Sequence, residues 1–169
     1  AGFAALAGAV YLGKRRKNVH SPSQVPYIIL GTARKMKSIL LFRHGKSNWK
    51  AQYEKDHERP LSKRGMKAAK LMGKYIFQIK QVPDKVISST AIRAKSTAEL
   101  ASKFGNWHSD FILDPDIYHC STEELQTIIA KQNLNTNFIC LVGHEPTFSS
   151  FLSKITGEDL VHFPTSSVA

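Results

Sequence analysis

The sequence predicts an α/β fold of three layers, a mostly parallel central sheet with helices on both faces. Two apolar runs, Leu40 to Phe42 and Phe138 to Val142, have no polar interruption, as expected of strands covered on both faces. Each run ends in a glycine-containing turn, Arg43-His44-Gly45 in the first case and Gly143-His144 in the second. Between them, segments with helical spacing alternate with a third short apolar run. Strands alternating with helices point to parallel pairing through crossover connections.

The elements follow in order. Beyond the first strand, Pro60 and Leu61 lead to Ser62, a helix-capping residue. Met66, Ala69, Met72, Ile76 and Ile79 then recur at steps of three and four and form the expected buried face. Pro83 and Asp84 break the chain before Val86 and Ile87, a short buried strand. Ser88, Ser89 and Thr90 begin the next helix, whose inward face carries Ala94, Ala98, Ala101 and Phe104; small residues there allow close approach to the sheet. Asp114, Pro115 and Asp116 mark a turn, and Ile117 with Tyr118 reads as a short extended piece. Ser121 to Glu124 fits a capping box ahead of the stripe Leu125, Ile128 and Ile129. After the second histidine strand, Pro146 suits the first turn of a helix that packs through Phe148, Phe151, Leu152 and Ile155.

A chain of 169 residues with 42% hydrophobic content suits one globular domain. Its formal charge of +11 is unevenly placed. Residues 1–50 hold ten Lys and Arg and no acid, whereas the remainder holds fourteen basic and thirteen acidic residues. The body is nearly neutral, which argues against a general nucleic-acid-binding surface. Residues 1–37 form a separate basic N-terminal segment: Phe3 to Leu12 is apolar, Lys14 to Lys17 is a positive run, and residues 18–37 read as linker. Ten apolar residues fall short of the roughly 20 that cross a bilayer. The segment reads as the tail of a membrane anchor, the end of a signal sequence, an organellar transit peptide for plastid or mitochondrion, or a plain basic tail. These alternatives imply an organellar or membrane-anchored protein, possible membrane association through this segment, or otherwise a cytoplasmic one. The folded domain is expected over 38–169. Cys120 and Cys140 read as core thiols, and no ligand spacing suggests a metal or cofactor.

Two histidines leaving two buried strands through glycine turns are most simply placed face to face at the carboxyl edge of the sheet, where α/β folds bind ligands. Phosphoryl transfer without a metal needs side-chain cations around the phosphoryl oxygens and a nucleophile in line with the leaving group. Arg43 directly follows a strand, and Arg93 lies near the start of the helix that the Ser88-Ser89-Thr90 run begins. Their planar guanidinium forks suit phosphate oxygens. His44 as nucleophile needs one bare ring nitrogen with the other held by a backbone carbonyl, and His144 would donate to the phosphoryl oxygens. His20, His57, His108, His119 and His162 lack such placement and read as surface or packing residues.

Arg43-His44-Gly45, Asp56 to Leu61 (Asp-His-Glu-Arg-Pro-Leu), Arg93-Ala94 with Thr97, and Val142-Gly143-His144-Glu145-Pro146 together resemble the histidine phosphatase superfamily, and within it the small SixA-type phosphohistidine phosphatases. The resemblance spans 38–169. It implies a phosphoglycerate mutase-like fold, a phosphohistidine intermediate on His44, a phosphate pocket of Arg43, Arg93 and His144, and hydrolysis by water from the vacated side. Arg59 and Ser47 are further expected substrate-binding residues. Larger members carry a proton-donating carboxylate in an insertion absent here, which leaves Asp56, Glu58, Glu145 or none as the acid. Glu145 stands where the small branch often has Asn, and Lys46 also departs from the usual residue. A phosphoramidate has a leaving nitrogen that protonates easily, so a weak or absent acid suits phosphohistidine better than an alkyl ester.

The expected activity is therefore a metal-independent phosphatase acting on phosphohistidine, free or on a protein, or on another small phosphate compound. A phosphomonoesterase of a small metabolite and a catalytically silent module that binds phosphorylated ligands are the alternatives. The stretch Phe163 to Ala169 resembles the entry to a final strand, and a truncated C-terminus is expected to leave Val168 and Ala169 frayed or to weaken the sheet.

Overall fold

The computed structural model describes residues 38–133, 135–159 and 162–169. The readings of residues 1–37 lie outside this set. Four strands, β1 (Ser38–Arg43), β2 (Lys85–Ser89), β3 (Asp110–Asp114) and β4 (Phe138–Gly143), form one parallel sheet in the order β1-β4-β2-β3. Four helices cover it: α1 (Lys63–Gln78), α2 (Ile92–Phe104), α3 (Thr122–Ala130) and α4 (Thr147–Thr156). None of the described helices is long and apolar enough to cross a membrane.

The period of two along the strands divides the core. Leu41, Ile87, Ile139 and Leu141 face one side, where Leu125, Ile128, Phe148, Phe151 and Leu152 of α3 and α4 cover them. Phe42, Val86, Cys140 and Val142 face the other, beneath Ile76 of α1 and Ala94, Ala98 and Ala101 of α2. Both faces are thus buried, which explains why the sequence of the inner strands lacks polar alternation.

The α1 helix is capped as expected, with Ser62 accepting from Gly65 N; such a cap is worth about 1 kcal/mol. Its buried face is rotated from the expected one and consists of Gly65, Ala69, Gly73 and Ile76, while Met66 and Ile79 are exposed. Backbone contact turns it. A Cβ on Gly73 would stand 2.1 Å from the Ala101 carbonyl oxygen, so α1 and α2 touch main chain to main chain. The capping box from Ser121 to Glu124 is present.

Several expectations are corrected. Ser88 and Ser89 belong to β2, and α2 begins at Ile92. Phe104 and Ile155 lie on exposed faces. Asp110–Asp114 is a strand, and Pro115–Ile117 is a 3-10 turn, with Ile117 buried rather than part of an extended piece. Val168 is buried and bridges antiparallel to Phe42, with Leu41 and Ala169 exchanging both backbone hydrogen bonds, so neither residue frays.

Candidate active site

The register of the sheet builds the site. β1 and β4 are neighbours, and Arg43 pairs with Gly143, so the next residues, His44 and His144, leave the sheet at the same level. Their ring centroids are 5.1 Å apart. β2 lies on the other side of β4 and delivers Ser89 and then Arg93 to the same edge. The cleft there has a volume of about 340 Å³ and is lined by Arg43, His44, Ser47, Arg59, Arg93 and His144, together with Lys46, Trp49, Asp56, His119, Glu145 and Thr165. All six residues expected to bind or transform substrate come together; among the three carboxylates, Glu58 is outside.

His44 is 8% exposed, and its Nδ1 lies 2.7 Å from the Gly45 carbonyl oxygen. A carbonyl only accepts, so Nδ1 carries the proton and Nε2 keeps its lone pair. Burial, against the Gly45 hydrogen bond and together with Arg93, Arg43 and Arg59, lowers the His44 pKa to about 4. The ring is neutral at pH 7. His144 is also held well below the ordinary imidazole range by burial first and by His44 and Arg93 next. Its Nε2 is 2.9 Å from Ser89 Oγ, which itself accepts from Ala91 N. In the tautomer in which the Ser89 hydroxyl donates to Nε2, the His144 proton is on Nδ1, a buried nitrogen without a partner among the described residues.

Three guanidiniums surround the histidines. Arg43 donates to the Phe163 carbonyl at 2.6 Å, and Arg93 donates to the Asp56 carbonyl and to Asp56 Oδ2. Arg59 pairs with Asp56 Oδ1 at 2.9 Å and lies beneath the Trp49 ring, 3.4 Å from its centroid. Yet Arg43 Nε, Arg93 Nε, and Arg59 Nε and Nη1 are buried without acceptors among the described residues. Buried cations with unmet donors are costly alone and favour an oxyanion between them.

The carboxylates divide by their bonds. Asp56 serves Arg59, Arg93 and the Tyr118 hydroxyl; burial pulls its carboxyl up, but Arg93, Tyr118 and Arg59 prevail and hold it below the usual range. Glu58 accepts from the Glu54 and Lys55 amides and caps the 3-10 turn. Glu145 lines the cleft, accepts from the Ser149 hydroxyl, and keeps Oε1 buried without a partner.

Sequence reasoning gave no role to the residues that hold these groups. Thr97, fully buried, accepts from Gly45 N at 2.9 Å and donates to the Arg93 carbonyl at 2.6 Å, tying the histidine turn to α2. Ser166 N is shared between the Arg43 and His44 carbonyls. Tyr118 packs edge-on against His144 and His57, and His119, read as a surface or packing residue, lines the cleft. The motif of Arg93-Ala94 with Thr97 marked Thr97 without giving it a role. Of the backbone acceptors, only the carbonyl on His44 Nδ1 was expected.

Comparison with known proteins agrees with this geometry. The family profile of the histidine phosphatase superfamily (branch 1) matches residues 39–128. An uncharacterised chloroplastic protein of Arabidopsis thaliana is 27% identical over 131 residues, covering 72% of this chain, and the chain spans 60% of that protein's length. An uncharacterised protein of Mycobacterium tuberculosis is 29% identical over 142 residues, 75% of this chain and 84% of its own. The crystal structure of SixA from Agrobacterium tumefaciens matches with a TM-score of 0.70 and 31% identity, covering 78% of this chain and 88% of that one. The protein histidine phosphatase SixA complexed with tungstate shares the fold, with a TM-score of 0.70 and 23% identity over 78% of this chain and 85% of that one. The chain belongs to the histidine phosphatase superfamily, in its SixA-type branch.

Proposed function

We propose that the domain of residues 38–169 is a metal-independent phosphatase that hydrolyses phosphohistidine, or another small phosphate compound, through a phosphohistidine intermediate on His44. The observation that carries this reading is the bare Nε2 of a neutral, buried His44, fixed by its Nδ1–H bond to Gly45 O among three guanidiniums with unmet donors. A neutral imidazole with its tautomer set by a backbone carbonyl is a competent nucleophile.

In the first step the Nε2 lone pair forms a bond to phosphorus as the bond to the leaving nitrogen or oxygen breaks. The leaving group carries away that electron pair and takes up a proton. Arg43, Arg93 and Arg59 stabilise the equatorial oxygens, with His144 Nδ1–H as a neutral donor. In the second step water attacks phosphorus from the vacated side, the P–Nε2 bond breaks, and the water proton passes to the released phosphate or solvent. With Asp56 ionised by its arginines and Glu58 occupied at its cap, Glu145 is the carboxylate left beside the leaving group. This thin supply of acid favours a phosphoramidate over an alkyl ester.

The test compares the parent chain with His44→Ala, both treated with EDTA, on an aryl phosphate and on a phosphohistidine peptide. Turnover unaffected by EDTA, greater on the peptide, and reduced on the order of 10³-fold or more in the variant is expected. A folded parent that binds phosphate without turnover overturns the enzyme reading in favour of a silent binding module.

A further inference from the structure

The near-neutral body conceals a strongly one-sided helix. Residues 63–80 contain Lys63, Arg64, Lys67, Lys70, Lys74 and Lys80 and no Asp or Glu. Steps of four, three and four place Lys63, Lys67, Lys70 and Lys74 along one ridge of α1, opposite the buried Gly65, Ala69, Gly73 and Ile76. All of these cations are exposed except Lys70, whose ammonium lies 4.4 Å over the Phe104 ring. Among the described residues none of them is in an ion pair. Like charges at helical spacing repel one another, and Lys63 and Arg64 sit at the helix end that favours acids. Among the described residues no acidic side chain pairs with these cations to offset that cost.

Apolar groups flank the ridge. Leu71 and Tyr75 stand on one side and Met66 and Phe77 on the other, each 38 to 50% exposed. The ridge also begins at the cleft. Ser62 donates through N and Oγ to the Lys46 carbonyl, and a Cβ on Gly65 would stand 2.2 Å from that same oxygen. The first turn of α1 is therefore pressed against the turn that holds His44, with Lys46 lining the cleft and Lys50 exposed beside it.

We infer that the outer face of α1, with Lys63, Lys67 and Lys74 as its ridge, docks the acidic surface of a phosphoprotein whose phosphorylated residue enters the cleft. The docking half stands on charge complementarity alone, and the delivery half rests on the phosphatase reading. Two features favour a protein over an anionic bilayer. A helix lying in a bilayer gathers its apolar residues on one face, whereas those of α1 are split by the lysines, its continuous apolar face being spent on α2 and the sheet. The ridge also runs about 16 Å from Lys63 to Lys74, longer than a small substrate and suited to a folded partner.

The experiment compares the parent chain with the Lys63→Glu/Lys67→Glu/Lys74→Glu variant. Two phosphohistidine peptides of one core sequence serve as substrates, one flanked by Asp and Glu and one by Ser and Gly, with an aryl phosphate as control. Binding of the labelled acidic peptide in its unphosphorylated form is followed by anisotropy. Each exposed charge contact is worth a factor of a few, so kcat/KM and affinity for the acidic peptide should each fall roughly tenfold or more in the variant and converge with the parent at high salt. The neutral peptide and the aryl phosphate should change less than twofold. Equal losses on both peptides, or none, overturn docking. Parent binding to phosphatidylserine vesicles that the variant loses, with the acidic peptide unaffected, overturns it in favour of a membrane. Peptide binding that depends on the ridge in a parent without turnover sustains docking and sinks only the phosphatase reading. Should the reversal variant misfold, Lys63→Ala/Lys67→Ala/Lys74→Ala carries the same test at about half the effect.

Discussion

Two sets of cations stand within one helix length of each other under opposite conditions. Arg43, Arg59 and Arg93 are sunk in the cleft, each tied by at least one bond and each with buried donors unmet. Lys63, Lys67 and Lys74 of α1 stand in solvent, without ion pairs among the described residues. The difference teaches that position decides what a positive charge does. A buried guanidinium fixes an oxyanion by geometry and resists salt, whereas an exposed ammonium acts at a distance and is screened within about 10 Å.

The largest effect comes from breaking geometry while keeping charge. Arg93→Lys retains the cation but loses the fork that holds Asp56 and leaves Nε for an oxyanion. Its kcat/KM on an aryl phosphate should fall on the order of 10²-fold, with little change in salt dependence. Steady-state kinetics at low and high salt check this, and a loss under threefold would show that the cleft needs only a point charge.

The two faces of α1 give a second, smaller contrast. Gly73→Ala inserts a Cβ against the Ala101 carbonyl and should cost about 1–3 kcal/mol in urea unfolding. Lys74→Ala, one residue away and exposed, should stay within about 0.5 kcal/mol. Equal costs would remove the distinction between seam and ridge.

The smallest expected change is a pH effect that should hardly appear. In the proposed mechanism neutral His44 is the active form, and because burial lowers its pKa to about 4, activity attributable to this group should persist as pH falls and be lost only near pH 4. An ordinary imidazole would cost roughly 30-fold at pH 5. The kcat/KM profile, corrected for substrate ionisation, separates the two, and a limb near 6.5 would mean that His44 is more solvated than its burial indicates.

The sequence made the inner strands legible because burial on both faces leaves long apolar runs, and β1 and β4 carried the two histidines with them. β3 escaped because it lies at the sheet edge, and its Phe111, Ile112 and Leu113 are too few between Asp110 and Asp114 to stand out. The α1 face was misjudged because Gly65 and Gly73, which have no hydropathy to signal burial, are the residues that pack. In the cleft, the strand-to-turn grammar pointed to Arg43, His44 and His144. Of their supports, the Gly45 carbonyl is one residue away from His44 and was expected, whereas the bonds to Thr97 Oγ1 and to the carbonyls of Gly143 and Phe163 cross long stretches of chain that no local pattern encodes.

The strand order carries one more consequence, for the protein as it is made. β1 and β2 never touch, because β4, the last of the four to be synthesised, is inserted between them. A nascent chain that has reached α3 owns three strands but no sheet that joins them, and its apolar edges await a partner still inside the ribosome. Closure depends on contacts of long sequence separation, which slows folding and leaves a period in which chaperones are the natural cover for those edges. The same delay means that His44 is made well before His144 exists, so the proposed chemistry cannot begin until the polypeptide has been built past His144.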